Sequence, residues 1–157
     1  MDFLAGLHPK VVHFPIALLL TYVLCELIGF IFKKIFFSKT AHLLLLLGVI
    51  GAIAAVLTGN QAFSTFHNWN TASRELFSHH QTYANLTVWY FSGLLVLKTF
   101  FVLKKKSNKA LEYFIILLAL FGCFLIYQTS YYGGDLVKKF GVGTELRIDN
   151  PESLQLN

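Results

Sequence analysis

Histidines are the residues in this sequence best suited to chemistry, and five of the six fall near one end of the apolar segments. These five are His8, His13, His67, His79 and His80. Neutral imidazole is the commonest protein ligand for metal ions, and it titrates near physiological pH. Polar side chains are costly to keep at the mouth of a membrane helix, so their clustering indicates a functional site. The alternative is that each histidine bonds a freed carbonyl, a lipid headgroup or water.

Four apolar runs must position these histidines. They cover residues 11–32, 41–63, 83–103 and 111–132, each roughly the 20 residues that cross a hydrocarbon core. Charged residues make up 13% of the 157 residues, against about 25% in a soluble domain. Backbone groups in lipid must bond internally, which favours helices. The sequence therefore predicts an all-α, integral membrane four-helix bundle at residues 1–143 and a polar tail at 144–157.

Basic residues predict the orientation of this bundle. The two short loops between runs carry seven lysines and no acid: Lys33, Lys34, Lys39, Lys104, Lys105, Lys106 and Lys109. The other side mixes basic residues (Lys10, Arg74, Lys138, Lys139, Arg147) with acids (Asp2, Glu75, Asp135, Glu145, Asp149, Glu152). Lysine-rich loops stay in the cytoplasm, so both termini are expected on the extracytoplasmic side of the membrane. The net charge of +5 therefore reflects membrane orientation and does not indicate nucleic-acid binding.

Prolines and small residues shape the first two runs. Pro9 suits the first turn of a helix, so the first helix is expected to begin there. Pro15 leaves the Val11 carbonyl without its donor and predicts a kink near His13. The second run carries Gly48, Gly51, Ala52, Ala55 and Gly59 at helical spacing. Small residues on one face let a neighbouring helix approach closely.

Two further segments lie on the histidine side. Thr71 resembles a helix cap, and a short interfacial helix is expected to run from it into His79 and His80. After the fourth run, Gly133, Gly134 and Asp135 are followed by Gly141 and Gly143. Glycine tolerates positive φ, so this motif predicts a tight exit from the membrane.

A b-type haem is the leading cofactor hypothesis. His13 on the first run and His80 on the third begin at similar depth and are the expected axial ligands, or the ligands of a copper or zinc ion. His79 is the substitute for His80, and His8 is a supporting or surface group. Gly59 is expected to let the macrocycle or a neighbouring helix approach.

A second polar set lies near the lysine-rich loops. Glu26 and Lys98 each sit roughly 10 Å inside their helix ends. An acid and a base at one depth in a membrane are expected to pair if their helices touch. Lys98 snorkelling to the headgroups is an alternative, and a proton path through Glu26 is less favoured.

Several motifs resemble a known family. They are residues 7–9 (LHP), 12–18 (VHFPIAL), 58–59 (TG), His80, 133–137 (GGDLV) and 141–143 (GVG). In combination they resemble the bacterial four-helix membrane proteins called domain of unknown function 2231. The resemblance implies an inner-membrane protein, and fusions of some members to cytochrome c or Rieske modules imply an electron-transfer setting.

The expected function is that of an electron carrier rather than a catalyst, exchanging electrons with a quinone or a periplasmic redox protein. No H-E-x-x-H, C-x-x-C-H or nucleophile-elbow motif is present in the sequence. The alternative is a non-enzymatic scaffold or accessory subunit that docks a periplasmic or membrane partner. A proton-coupled transporter using Glu26 is a third hypothesis, which four short helices favour least.

Overall fold

The computed structural model describes residues 2–67, 69–105 and 108–142. Across these residues the chain forms five α-helices: α1 (Asp2–Val11), α2 (His13–Phe32), α3 (Ile35–Thr65), α4 (Thr71–Leu103) and α5 (Lys109–Phe140). The predicted tail at 144–157, together with Lys106 and Gly143, lies outside the described residues. The predicted all-helical architecture is confirmed for the part that is described.

Among the described residues, four helical segments are long and apolar enough to cross a membrane: Gly6–Phe32, Ile35–Thr65, Thr71–Leu103 and Lys109–Phe140. A helix of 31 residues such as α3 spans about 46 Å, more than a hydrocarbon core of about 30 Å. Large apolar side chains such as Trp89 and Leu103 are 77% and 76% exposed on the outside of the bundle. That pattern suits lipid contact, because a soluble surface rarely carries so much contiguous apolar area.

The first span is two helices that meet at Val12. Pro15 cannot donate to the Val11 carbonyl, and the next bond, from Ile16 N to Val12 O, is long at 3.5 Å. The predicted irregularity is therefore confirmed. The predicted start at Pro9 is wrong, because α1 already begins at Asp2 and contains that proline.

Each span packs against two neighbours. α2 contacts α3 and α5, α4 contacts α3 and α5, and α1 lies on α3. The small-residue face of α3 receives the first span as predicted: a β-carbon on Gly48 would lie 2.5 Å from Leu19, and one on Gly51 3.4 Å from Pro15. The fully buried Tyr22 and Phe91 meet edge to face at the centre, with ring centroids 6.4 Å apart.

The predicted interfacial helix is the first part of α4 rather than a separate element. Its cap is Asn70, not Thr71: Ser73 N donates to Asn70 Oδ1 at 2.8 Å, and Asn70 N donates to Ser73 Oγ at 2.9 Å. This reciprocal capping box satisfies two backbone donors at the helix start. The helix then continues without interruption through both His79 and His80.

The predicted glycine exit with positive φ is found at Gly141, and not at Gly133 and Gly134. Both glycines are helical, and α5 ends at Phe140 with Gly141 as its left-handed cap at φ 64°. Gly134 has open space at the β-carbon position, whereas Gly133 is covered by an imidazole. Close packing, not a turn, therefore explains the glycine at position 133.

Candidate functional site

A cavity of about 350 Å³ opens at the end of the bundle where α1 enters it. We call it the histidine cavity. All five helices contribute to its lining, which is mainly apolar and includes Leu19, Ala52, Val88 and Ile126. Its volume falls in the range of small-molecule sites, which combine apolar walls with a few convergent polar groups. The polar groups on its lining include His8, His13, Asn60, His80, Gln81 and Asn85.

His80 is fixed on the cavity wall by a backbone carbonyl. Its Nδ1 lies 3.0 Å from the carbonyl oxygen of Thr129 on α5. A carbonyl oxygen can only accept, so Nδ1 carries the proton and Nε2 keeps its lone pair. The ring lies over Gly133, where a β-carbon would be 3.0 Å from His80 Cε1. Glycine at 133 is therefore what allows α5 to approach this imidazole.

His8 is held in an analogous way by α3. Its Nδ1 lies 3.1 Å from Thr58 Oγ1. The Thr58 hydroxyl is itself 3.0 Å from the carbonyls of Ala54 and Ala55 and donates to them. Thr58 Oγ1 can therefore accept from His8 Nδ1–H, and in that tautomer the His8 Nε2 lone pair is available.

The two imidazoles form a pair with matching surroundings. His8 lies over Gly59, where a β-carbon would be 2.9 Å from Cε1, as His80 lies over Gly133. Both rings line the same cavity. A hydrogen bond from the second ring nitrogen is the usual way in which proteins fix the tautomer and orientation of a ligating histidine.

His8, rather than His13, is the partner of His80 in this arrangement. The side chain of His13 contributes to the cavity lining but is exposed. His8 lies on α1 and His13 on α2, on either side of the break at Val12. The sequence treats both as candidates, and the packing of α1 on α3, which brings His8 against Thr58 and Gly59, distinguishes them.

His79 and His80 are separated in the same manner. His79 is exposed and stacks on Tyr132, with ring centroids 5.3 Å apart. Successive helical positions differ by about 100°, so only one of the two can face the bundle. His80 therefore occupies the predicted inward position, and His79 lies on the outer surface.

Near the lysine-rich loops, Lys98 Nζ bonds Glu26 Oε2 and forms an ion pair. Lys98 is 3% exposed, so it does not snorkel to the surface.

Asp135 of the predicted exit motif forms an ion pair with Lys139, one turn further along α5, at 2.7 Å. Within the described residues, no group of three or more His, Cys, Asp or Glu side chains is arranged to hold a metal ion.

Thr129 and Thr58 are the positioning residues of this site. Thr58 precedes Gly59 in a motif of the sequence, but its bond to His8 depends on how α1 lies on α3. Thr129 acts through its backbone carbonyl, which any residue type would supply. No signal in the sequence therefore identifies position 129.

The described part of the chain is a helical membrane bundle with four candidate spans and a cavity at one end. The chain belongs to the predicted membrane protein family DUF2231, whose family model matches residues 5–146. No curated protein and no solved structure matches the chain.

Proposed function

We propose that the histidine cavity binds a b-type haem through Nε2 of His8 and Nε2 of His80, and that the protein carries electrons. The observation that carries the proposal is the matched pair of imidazoles. Each comes from a different helix, each donates its Nδ1 proton to a neighbouring helix, and each faces one apolar cavity. Bound haem would supply a one-electron couple within the membrane.

The number of protein donors favours haem over a bare metal ion. A zinc or copper ion takes three or four protein ligands at most sites. Among the described residues, no group of three or more His, Cys, Asp or Glu side chains is arranged to hold a metal ion. Two imidazoles suffice only when the remaining ligands come with the metal, as the four nitrogens of a porphyrin do.

Membrane placement determines the partners of such a carrier. The lysines of the 33–34 and 104–109 loops favour a cytoplasmic location for that end. The histidine cavity would then lie on the extracytoplasmic side of the inner membrane. A quinone in the bilayer or a periplasmic redox protein is the partner that this side offers.

Absorption spectroscopy tests the proposal. We expect the full chain, expressed with haem precursor and purified in detergent, to show a Soret band and an α band that sharpens on reduction by dithionite. His8→Ala and His80→Ala are expected to lose the low-spin spectrum. His79→Ala is the matched control, because it removes a neighbouring histidine that stacks on Tyr132, and it should keep the low-spin spectrum. His13→Ala tests which histidine of the first span is the ligand, and it too should keep that spectrum.

Two results contradict the haem assignment. One is a protein that remains without a Soret band after titration with haemin. The other is a spectrum that His13→Ala abolishes and His8→Ala preserves. If the folded protein binds no haem, the scaffold function is the one that remains. In that function His8 and His80 hold α1 against α3 and α4 against α5.

A further inference from the structure

The other end of the bundle contains a second buried polar cluster. It consists of the Glu26–Lys98 pair and the neighbouring polar groups of Tyr22, His42 and Thr99. The Lys98 ammonium lies 5.2 Å from the centroid of the Tyr22 ring. Thr99 Oγ1 lies 3.4 Å from His42 Nε2. Three spans, through α2, α3 and α4, therefore bring polar side chains to one place inside the membrane.

Two atoms of this cluster are buried without a hydrogen-bond partner, the hydroxyl oxygen of Tyr22 and Nδ1 of His42. In the part of the chain that the structure describes, no other buried side-chain nitrogen or oxygen shares this property. Buried polar groups in native proteins are nearly always bonded to protein or to ordered water. The coincidence of both atoms beside one ion pair indicates that water completes their bonding.

We propose that water enters the bundle from the end that carries the lysine-rich loops and fills a cleft between α2, α3 and α4. The cleft reaches Tyr22 and hydrates the Glu26–Lys98 pair. Glu26 retains 14% exposure in its side chain, and His42 is partly exposed. These two side chains line the entrance to the cleft.

An apolar layer closes the cleft towards the histidine cavity. Phe91 is fully buried beside Tyr22, and its ring fills the space at Gly122, where a β-carbon would lie 2.4 Å from Phe91 Cζ. Leu19, one helical turn before Tyr22, already lines the histidine cavity. Water reaching Tyr22 thus stops about one turn from that cavity. The inference is independent of whether the histidine cavity binds haem.

Cysteine accessibility tests the cleft directly. The background is the Cys25→Ala, Cys123→Ala protein reconstituted in liposomes. Single cysteines replace Val96, Thr99 or Phe100 in it, and each variant is treated with a hydrophilic methanethiosulfonate reagent. Val96 and Phe100 are 69% and 51% exposed on the lipid side, and they bracket Thr99 in depth. We expect Thr99→Cys to react at least tenfold faster than both controls. Rates that simply follow depth, with Phe100→Cys fastest, overturn the proposal, as does an unreactive Thr99→Cys.

Removal of the Tyr22 hydroxyl provides a second readout. Tyr22→Phe is compared with Tyr90→Phe, because the Tyr90 hydroxyl donates to the Leu118 carbonyl at 2.7 Å. If water bonds Tyr22, both variants lose a hydrogen bond, and Tm should fall by a similar amount in each. An unchanged or higher Tm for Tyr22→Phe alone shows that its hydroxyl is dry and overturns the proposal.

Discussion

Glycine controls where the two imidazoles of the histidine cavity can lie. His8 covers Gly59 and His80 covers Gly133, with contacts that a β-carbon would shorten to 2.9 Å and 3.0 Å. Both rings are simultaneously held by hydrogen bonds at Nδ1. If either ring moves away from an added methyl group, its hydrogen bond at Nδ1 is stretched. The orientation of each imidazole therefore depends on a neighbouring residue that has no side chain.

Gly133→Ala is expected to be less stable than Gly134→Ala by about 1–3 kcal/mol, because overpacking forces a well-packed side chain to shift. The His80 ring must then move away from the Thr129 carbonyl. Gly134→Ala is the matched control, since its β-carbon position has nothing within 4 Å and alanine favours helix by about 1 kcal/mol. Thermal unfolding in detergent measures both variants. Equal Tm values for the two would contradict the close contact.

The Glu26–Lys98 pair makes a different kind of prediction. Removing one partner, as in Glu26→Leu, leaves a buried ammonium unpaired and should cost about 3 kcal/mol. Replacing both partners, as in Glu26→Leu with Lys98→Met, removes both charges and should recover most of that loss. Unfolding in SDS titrations measures each free energy. A double variant less stable than either single variant would contradict this expectation. It would show that the ion pair stabilises the fold by more than each charge offsetting the burial of the other.

Helix α4 shows how one element can serve both the surface and the membrane. It begins at the Asn70 capping box, carries His80 to the cavity, and reaches Lys98 near its far end. An aromatic cluster next to its start joins the preceding loop to it, with Phe63 and Phe77 stacked at 4.2 Å and Trp69 against both. This cluster lines the mouth of the histidine cavity. The start of α4 therefore helps to set the position of His80.

Asn70→Ala should destabilise the start of α4 by about 1 kcal/mol, the usual cost of losing an N-cap side chain. Thr71→Ala is the matched control, because Thr71 is the first helical residue and alanine is a good helix former. Hydrogen exchange of the first turn of α4 reports the loss directly. Equal protection in the two variants would argue against Asn70 as the cap.

At the level of the complete bundle, the two ends differ in charge and in chemistry. One end carries Lys33, Lys34, Lys104 and Lys105 on short connections, with the Glu26–Lys98 pair within. The other end carries the histidine cavity between all five helices. A single orientation in the membrane therefore determines which compartment each site faces.

Reporter fusions measure that orientation. We expect alkaline phosphatase fused after residue 142 to be active in bacterial cells and green fluorescent protein at the same position to be dark, because lysine-rich loops remain in the cytoplasm. Fusions truncated after Lys34 should show the reverse pattern. Active phosphatase at Lys34 would place the histidine cavity on the cytoplasmic side instead.

Hydropathy and spacing alone predict the helical spans, the small-residue face of α3 and the irregularity near Pro15. These features follow from local rules: the length that crosses a bilayer, the 3.6-residue period and the missing proline donor. The helix ends are less well predicted. α3 and α5 extend past the apolar runs, because polar residues in water continue a helix as readily as apolar residues in lipid.

The sequence by itself determined that histidines gather at one end of a membrane bundle and that Glu26 and Lys98 lie at one depth. Only the tertiary structure decided which of these histidines lies against a neighbouring helix: His8 against Thr58 and Gly59, and His80 against Thr129 and Gly133. The physical reason is packing. His79 and His80 on α4 differ in direction by about 100°, His8 and His13 lie on either side of the break at Val12, and the packing of α1 on α3 and of α4 on α5 sets the contacts of each ring.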